Sequence, residues 1–230
     1  MARKAPSKLA RIVSALRRNY GDAKGPPAKT AFELVLWEKV AYLATDERRA
    51  KAFKILRRRI GLTPNAILRA EPELLREIFA EGGKVAVNDR VKHTQDAAAL
   101  VMDEYEGSLD TVLSLPIAAA KKALQRIYGI GDPGAERILL LTRSHQLLPL
   151  DSNGARTLLR IGYGTDDRNY SRMYRSVRDS AAAEVVRDYD WLIDAHLLLQ
   201  RHGREICKTS SPRCEICVVR NECAYYAARK

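Results

Sequence analysis

The sequence predicts an all-α protein. Stretches rich in Ala, Leu, Arg, Lys and Glu fill most of its 230 residues, and these residue types favour helices. Alternating apolar and polar runs, which would indicate strands, are scarce. Gly, Pro and polar clusters separate the helical stretches, and at 46% hydrophobic residues the chain can bury a sizeable core.

Helix-start signals and apolar spacing place the elements in order. Thr30 and Glu33 have the spacing of a capping box, so we expect a helix to begin at Ala31 and to continue to Leu43. Pro64 and Pro72 each suit the first turn of a short helix. The remaining helices are expected over residues 7–18, 46–58, 89–106, 108–113, 116–127, 154–160, 170–186 and 189–202.

The chain is strongly basic, with a formal net charge of +12 and a pI near 9.7. Residues 1–29 hold eight Lys and Arg residues, Arg3 and Lys4 among them, against one acidic residue. Such a charge attracts polyanions, so nucleic acid is the first candidate partner and an anionic membrane surface the second. A basic surface that serves only solubility remains an alternative. No run of about 18 apolar residues predicts a membrane span, and no signal peptide is visible.

All four cysteines lie close together near the end of the sequence. Cys207, Cys214, Cys217 and Cys223 have the spacing C-x6-C-x2-C-x5-C. Soft thiolate ligands select zinc or an iron–sulfur cluster. Structural zinc sites usually have two short knuckles, so gaps of six, two and five favour one compact cluster, with zinc and four unrelated thiols as the alternatives. Thiols grouped as ligands predict a reducing cytoplasm.

A glycine-rich turn separates two helical patterns at residues 127–133, Ile-Tyr-Gly-Ile-Gly-Asp-Pro. Gly129 and Gly131 allow a backbone conformation that exposes N–H groups, and these can hold a phosphate oxygen. The same pattern also fits an ordinary helix–turn–helix. We expect Asp132 to cap the following helix, with Pro133 at its first position.

Two carboxylates are candidates for chemistry. Asp151 lies at a loop-to-helix junction, where an N-cap is its structural explanation. Glu38 stands among apolar neighbours in the helix that begins at Ala31, and an apolar setting favours a protonated acid that can donate a proton. The alternative for Glu38 is a partly exposed residue held by Lys39 or Arg48.

These motifs together resemble the endonuclease III and adenine DNA glycosylase branches of the helix-hairpin-helix DNA glycosylase superfamily. The cysteine loop and the preceding His202-Gly203-Arg204 resemble the family's iron–sulfur loop, and residues 150–156 resemble the adenine branch's L-D-x-N-x-x-R stretch. The resemblance covers most of residues 7–226 and implies a two-lobed fold. A six-helix barrel with the hairpin would occupy residues 29–145, and residues 1–28 and 146–230 would form the iron–sulfur domain.

The resemblance implies a DNA glycosylase of base excision repair, with a [4Fe–4S] cluster on the four cysteines. It would hydrolyse the N-glycosidic bond of a damaged or mispaired base in double-stranded DNA. Asp151 would stabilise the cationic sugar, Glu38 would protonate a purine, and Asn153 would complete the catalytic set. The expected DNA contacts are Gly129, Gly131, Leu43, Arg204, Lys208 and Arg213. We expect a monomer in the cytoplasm, associated with the bacterial nucleoid and not with a membrane.

The chain departs from the family pattern in three places. Pro133 stands where bifunctional members carry a lysine, and the nearest lysine in sequence is Lys122, so we expect a monofunctional enzyme without efficient AP lyase activity. Residues 40–43 replace a glutamine-rich segment, and the sequence after Cys223 leaves no room for the domain that reads an opposite oxidised guanine. A non-catalytic DNA-binding protein of the same fold and a basic iron–sulfur regulator are the alternatives.

Overall fold

The computed structural model describes residues 5–229, and the prediction of an all-α fold is confirmed because no strand occurs among them. Arg3 and Lys4 of the basic N-terminal segment lie outside the described residues. Within that range, no helix combines the length and apolar character needed to cross a membrane. The described chain divides into two compact units, one of residues 26–145 and the other of residues 5–25 and 146–229.

The unit of residues 26–145 contains eight helices, as many as the sequence signals predicted there, while the family resemblance implied a six-helix barrel. The two shortest, α4 and α7, have six and four residues. The helices are α2 Ala31–Lys39, α3 Asp46–Arg59, α4 Pro64–Arg69, α5 Pro72–Glu81, α6 Val87–Tyr105, α7 Asp110–Leu113, α8 Ile117–Leu124 and α9 Asp132–Leu141.

Helix α2 ends at Lys39, four residues before the predicted end at Leu43. The carbonyl of Val40 accepts a hydrogen bond of 2.8 Å from Nη1 of Arg90, which lies on α6. Gly82 packs against the same carbonyl, since a Cβ built on Gly82 would lie 2.0 Å from the oxygen of Val40. Long-range contacts therefore end the helix where local sequence favoured its continuation.

The second unit holds the remaining helices, which are α1 Lys8–Tyr20, α10 Ser152–Ile161, α11 Tyr170–Ala181, α12 Tyr189–Glu205 and α13 Ala224–Ala227. Helices α10 and α12 pack along each other, and α1 packs on α12. A Cβ built on Gly203 would lie 2.4 Å from the carbonyl oxygen of Asn153. The glycine of the His202-Gly203-Arg204 motif therefore allows the end of α12 to approach the start of α10.

Candidate functional site

Asp151 is the N-cap of α10, as the sequence predicted. Its Oδ1 accepts a hydrogen bond of 2.7 Å from the backbone N–H of Gly154. The side chain is half-buried at the start of the helix. The capping hydrogen bond therefore uses only one of the two carboxylate oxygens of Asp151.

The second oxygen of Asp151 is held by two side-chain amides. Oδ2 accepts 3.1 Å from Nδ2 of Asn153 and 2.9 Å from Nε2 of Gln200. An N-cap does not need these bonds, and neither amide carries a net charge. The carboxylate of Asp151 is therefore oriented by three uncharged donors.

Arg156 joins the Asp151 region to the cysteine loop. Its Nη2 donates to Oδ1 of Asn153 over 2.9 Å and to the carbonyl of Gly203 over 2.7 Å. Its Nε donates to the carbonyl of Cys207 over 2.8 Å. The orientation of Asn153 is thus tied to the backbone at the first cysteine.

Tyr170, at the start of α11, also lies in the surroundings of Asp151. Partial burial, and after it the negative charge of Asp151, raise the pKa of the Tyr170 phenol. Sequence reasoning identified neither Tyr170 nor Gln200. Their proximity to Asp151 depends on helix packing, and no local motif signals it.

The four cysteines line one small cavity, together with Arg160, Pro212, Tyr225 and other neighbours. All four are free thiols and half-buried. Nη1 of Arg160 lies 3.5 Å from Sγ of Cys207, and Nε2 of His202 lies 3.4 Å from Sγ of Cys217. Arg160, His202 and Tyr225 therefore lie beside the cysteines.

The donor chemistry fits the predicted iron–sulfur cluster. Burial raises the pKa of Cys217 to about 11 and also raises that of Cys223. A thiolate in this setting needs a compensating positive charge, which metal ions supply. Within residues 5–229, no three Cys, His, Asp or Glu side chains are grouped closely enough to hold a single metal ion. The fit therefore rests on four unpaired thiols that share one cavity.

The predicted basic contacts surround this cysteine loop. Arg204 and Arg213 are exposed, and Lys208 is half-buried. The carbonyl of Lys208 accepts 2.6 Å from Nη1 of Arg160, which fixes the backbone of the loop. The structure places all three predicted side chains within or directly before the cysteine loop.

In the unit of residues 26–145, the predicted hairpin turn is exposed. Gly129 has a positive φ of 81°, and Gly131 is the N-cap of α9. Asp132 occupies the first helical position, so the expectation that Asp132 caps the helix is wrong. Its carboxylate pairs with Lys121 at 2.8 Å, which offsets the negative charge beside the turn.

Pro133 lies in the first turn of α9 and offers no amine. The structure nevertheless brings two lysines to the hairpin, Lys121 and Lys39. Nζ of Lys39 donates to the carbonyl of Tyr128 over 2.6 Å, and burial lowers the pKa of this lysine. From the sequence alone, Lys122 was the nearest lysine to Pro133, and its side chain is exposed.

Glu38 does not have the apolar surroundings that the sequence predicted. Its carboxylate forms an ion pair with Arg137 of α9 and is partly exposed. The partner is neither Lys39 nor Arg48, because packing of α9 on α2 brings Arg137 to this position. The prediction of an apolar environment is therefore wrong.

Leu43 projects from the loop that follows α2. It has a positive φ of 48° and is 79% exposed. Arg90 holds the base of this loop, donating to the carbonyls of Val40 at 2.8 Å, Phe79 at 3.0 Å and Val85 at 3.1 Å.

Comparisons with known proteins agree with this geometry. No protein-family model matches the chain. The chain is 26% identical to endonuclease III of Sulfolobus acidocaldarius over 199 residues. This alignment covers 86% of this chain and 83% of that protein. A trapped endonuclease III–DNA covalent intermediate superposes with a TM-score of 0.76 at 20% identity, covering 99% of both chains. A thermostable thymine-DNA glycosylase gives a TM-score of 0.75 at 17% identity, covering 96% of this chain and 95% of that one.

Proposed function

We propose that this chain, which belongs to the helix-hairpin-helix DNA glycosylase superfamily, hydrolyses the N-glycosidic bond of a damaged or mispaired base in double-stranded DNA. The observation that carries the proposal is the second oxygen of Asp151. Two neutral amides orient this oxygen although helix capping needs only the first.

The chemistry of base release explains the arrangement. Cleavage of the N-glycosidic bond builds positive charge on the sugar, and a preorganised carboxylate stabilises that charge. A carboxylate has about four lone-pair sites, and three of those on Asp151 accept the hydrogen bonds from Gly154, Asn153 and Gln200. The remaining site is available for the sugar or for the attacking water.

We propose that the enzyme is monofunctional. The covalent intermediate in the similar structure belongs to endonuclease III, and a covalent Schiff base needs an amine. Pro133 supplies none, Lys121 is paired with Asp132 and Glu136, and Lys39 is hydrogen-bonded to the Tyr128 carbonyl. Water is therefore the acceptor of the sugar, and the DNA strand stays intact.

Glu38 has no part in the proposed mechanism. The carboxylate of Glu38 is engaged by the guanidinium of Arg137, and no substrate-facing contact of this side chain supports a role in base release. The ion pair instead supports a structural role in joining α2 to α9. The proton for the departing base then comes from another group or from water.

Cys207, Cys214, Cys217 and Cys223 would hold a [4Fe–4S] cluster. When bound, the cluster supplies covalent cross-links that shape the loop, together with a redox-active centre. The loop then presents Arg204, Lys208 and Arg213 to DNA phosphates, and no step of base release passes through the cluster.

The remaining DNA contacts come from the unit of residues 26–145. We propose that the backbone at Gly129 and Gly131, which is exposed, binds a phosphate, and that Leu43, also exposed, fills the stack when a nucleotide is flipped out. The net charge of +12 favours association with DNA. We propose that the protein acts on DNA as a cytoplasmic monomer.

One screen tests this function. Purified protein is incubated with duplexes that contain uracil, hypoxanthine, an alkylated purine, or an A or T mispair, and products are separated with and without alkali. Release of at least one base, with strand breaks only after alkali, is the expected result. Binding to the same duplexes without release of any base would instead favour the non-catalytic DNA-binding alternative.

A further inference from the structure

Gln200 is the donor to Asp151 that comes from another helix. Asn153 and Gly154 belong to the same loop-to-helix junction as the aspartate, whereas Gln200 lies on α12 and is 49 residues away in sequence. Its side chain is half-buried, and its Nε2 lies 2.9 Å from Oδ2 of Asp151. The Asp151 carboxylate is therefore oriented by tertiary structure as well as by its own turn.

The other two donors come from the start of α10 itself. The capping bond to Gly154 moves with that helix, and the bond to Asn153 spans only two residues. The bond from Gln200 links Oδ2 directly to α12, which the close approach of Gly203 holds against α10. Loss of this bond would leave Oδ2 with the single hydrogen bond from Asn153 and would not remove the cap.

The type of residue matters as much as its place. A lysine or arginine at this position would pair with Asp151 and cancel its charge, which would reduce its attraction for a cationic sugar. An amide donates to the anion and adds no net charge, so it orients the carboxylate and preserves the full negative charge. A hydrogen bond from an uncharged donor to an anion is still stronger than one between two neutral groups.

We propose that Gln200 is a positioning residue that holds the Asp151 carboxylate in the orientation that stabilises the cationic sugar. This inference rests on the proposed function, because it assigns Gln200 a role in the same chemistry. Gln200 acts through Asp151 and is not expected to contact the DNA base.

The test uses two abasic analogues and therefore does not require the damaged base to be known. One duplex carries a pyrrolidine ring, whose protonated nitrogen mimics the cationic sugar, and the other carries a neutral tetrahydrofuran ring. The ratio of the two affinities measures the stabilisation of positive charge. Gln200→Met should lower this ratio by about tenfold, the loss expected for one hydrogen bond to a charged group, and should leave tetrahydrofuran affinity within about twofold of wild type.

Three further variants control the measurement. Asp151→Asn should abolish the preference for the cationic ring, and Gln95→Met makes the same chemical change on α6 and should leave the ratio unaltered. Gln200→Leu removes the amide with a different side-chain shape and should match Gln200→Met. Melting temperature and cluster absorbance show whether each variant is folded.

The outcomes for Gln200 and for the proposed function are separable. An unchanged ratio in both Gln200 variants, or no cationic preference in the wild type, would overturn the positioning role even if bases are released in the substrate screen. A lowered ratio with no base released by the wild type would support the positioning role while the proposed function fails.

Discussion

Nε of Arg156 donates a hydrogen bond of 2.8 Å to the carbonyl oxygen of Cys207, the first cysteine of the loop. The same guanidinium holds the side chain of Asn153, which in turn donates to Asp151. A chain of hydrogen bonds therefore connects the cysteine loop to the candidate catalytic carboxylate. An intact loop is expected to matter for activity although it does not take part in the chemistry.

This connection predicts the effect of Arg156→Lys. A lysine keeps the charge but cannot reach three acceptors with the fixed fork of a guanidinium. We expect base release in single-turnover reactions to fall by about tenfold or more, comparable with the loss of one hydrogen bond to a charged group. Arg175→Lys, on the exposed face of α11, is the matched control, and equal rates for both variants would contradict the connection.

Iron analysis tests the cysteine loop. Purified protein should be yellow-brown and contain about four irons per chain, because four cysteines hold one [4Fe–4S] cluster. Cys214→Ser should lose the colour and much of the solubility, since the loop then lacks one of its cross-links. One zinc per chain without iron would show that the donor set holds a different metal.

We expect that borohydride does not trap the protein on abasic DNA, because Pro133 offers no amine and Lys121 is paired with Asp132 and Glu136. Lys39 is the candidate nucleophile to test, because burial lowers its pKa and it lies beside the hairpin. Its hydrogen bond to the Tyr128 carbonyl is expected to keep it from attacking the sugar. If the wild type is trapped and Lys39→Gln is not, the enzyme is bifunctional and Lys39 is its nucleophile.

The Glu38–Arg137 ion pair predicts a structural effect for Glu38→Gln. The free energy of unfolding should fall by about 0.5–1 kcal/mol, as expected for a partly exposed pair, and Arg137→Met should cause a similar loss. The ratio of purine to uracil excision should stay at the wild-type value in both variants. A selective loss of purine excision in Glu38→Gln alone would restore the proton-donor role that the sequence suggested.

Much of the fold could be predicted from short-range sequence patterns. The caps at Thr30 and Asp151 follow from the residue itself and the N–H group three positions later, and both accept the expected hydrogen bonds. The four cysteines and the hairpin glycines were also visible as short-range patterns. The predicted superfamily agrees with the endonuclease III relatives, and the structural neighbours share the predicted fold.

What the sequence could not predict depends on partners that are distant in sequence. Arg90 ends α2 from 50 residues away, Arg137 turns the surroundings of Glu38 from apolar to charged, and Gln200 completes the Asp151 site from α12. Each of these contacts results from helix packing, and the periodicity of a single segment does not predict which helices pack together. The errors therefore concern the environment of side chains more than the existence of helices.

The most direct test of the account is the single-turnover rate of base release by Asp151→Asn on the best substrate of the screen. Asparagine is also a good N-cap, so α10 should remain intact while the negative charge is lost. We predict a rate lower by about a hundredfold to a thousandfold, typical of removing a preorganised electrostatic group, with DNA affinity within about twofold of wild type. Base release by Asp151→Asn at the wild-type rate would contradict the central role of this carboxylate.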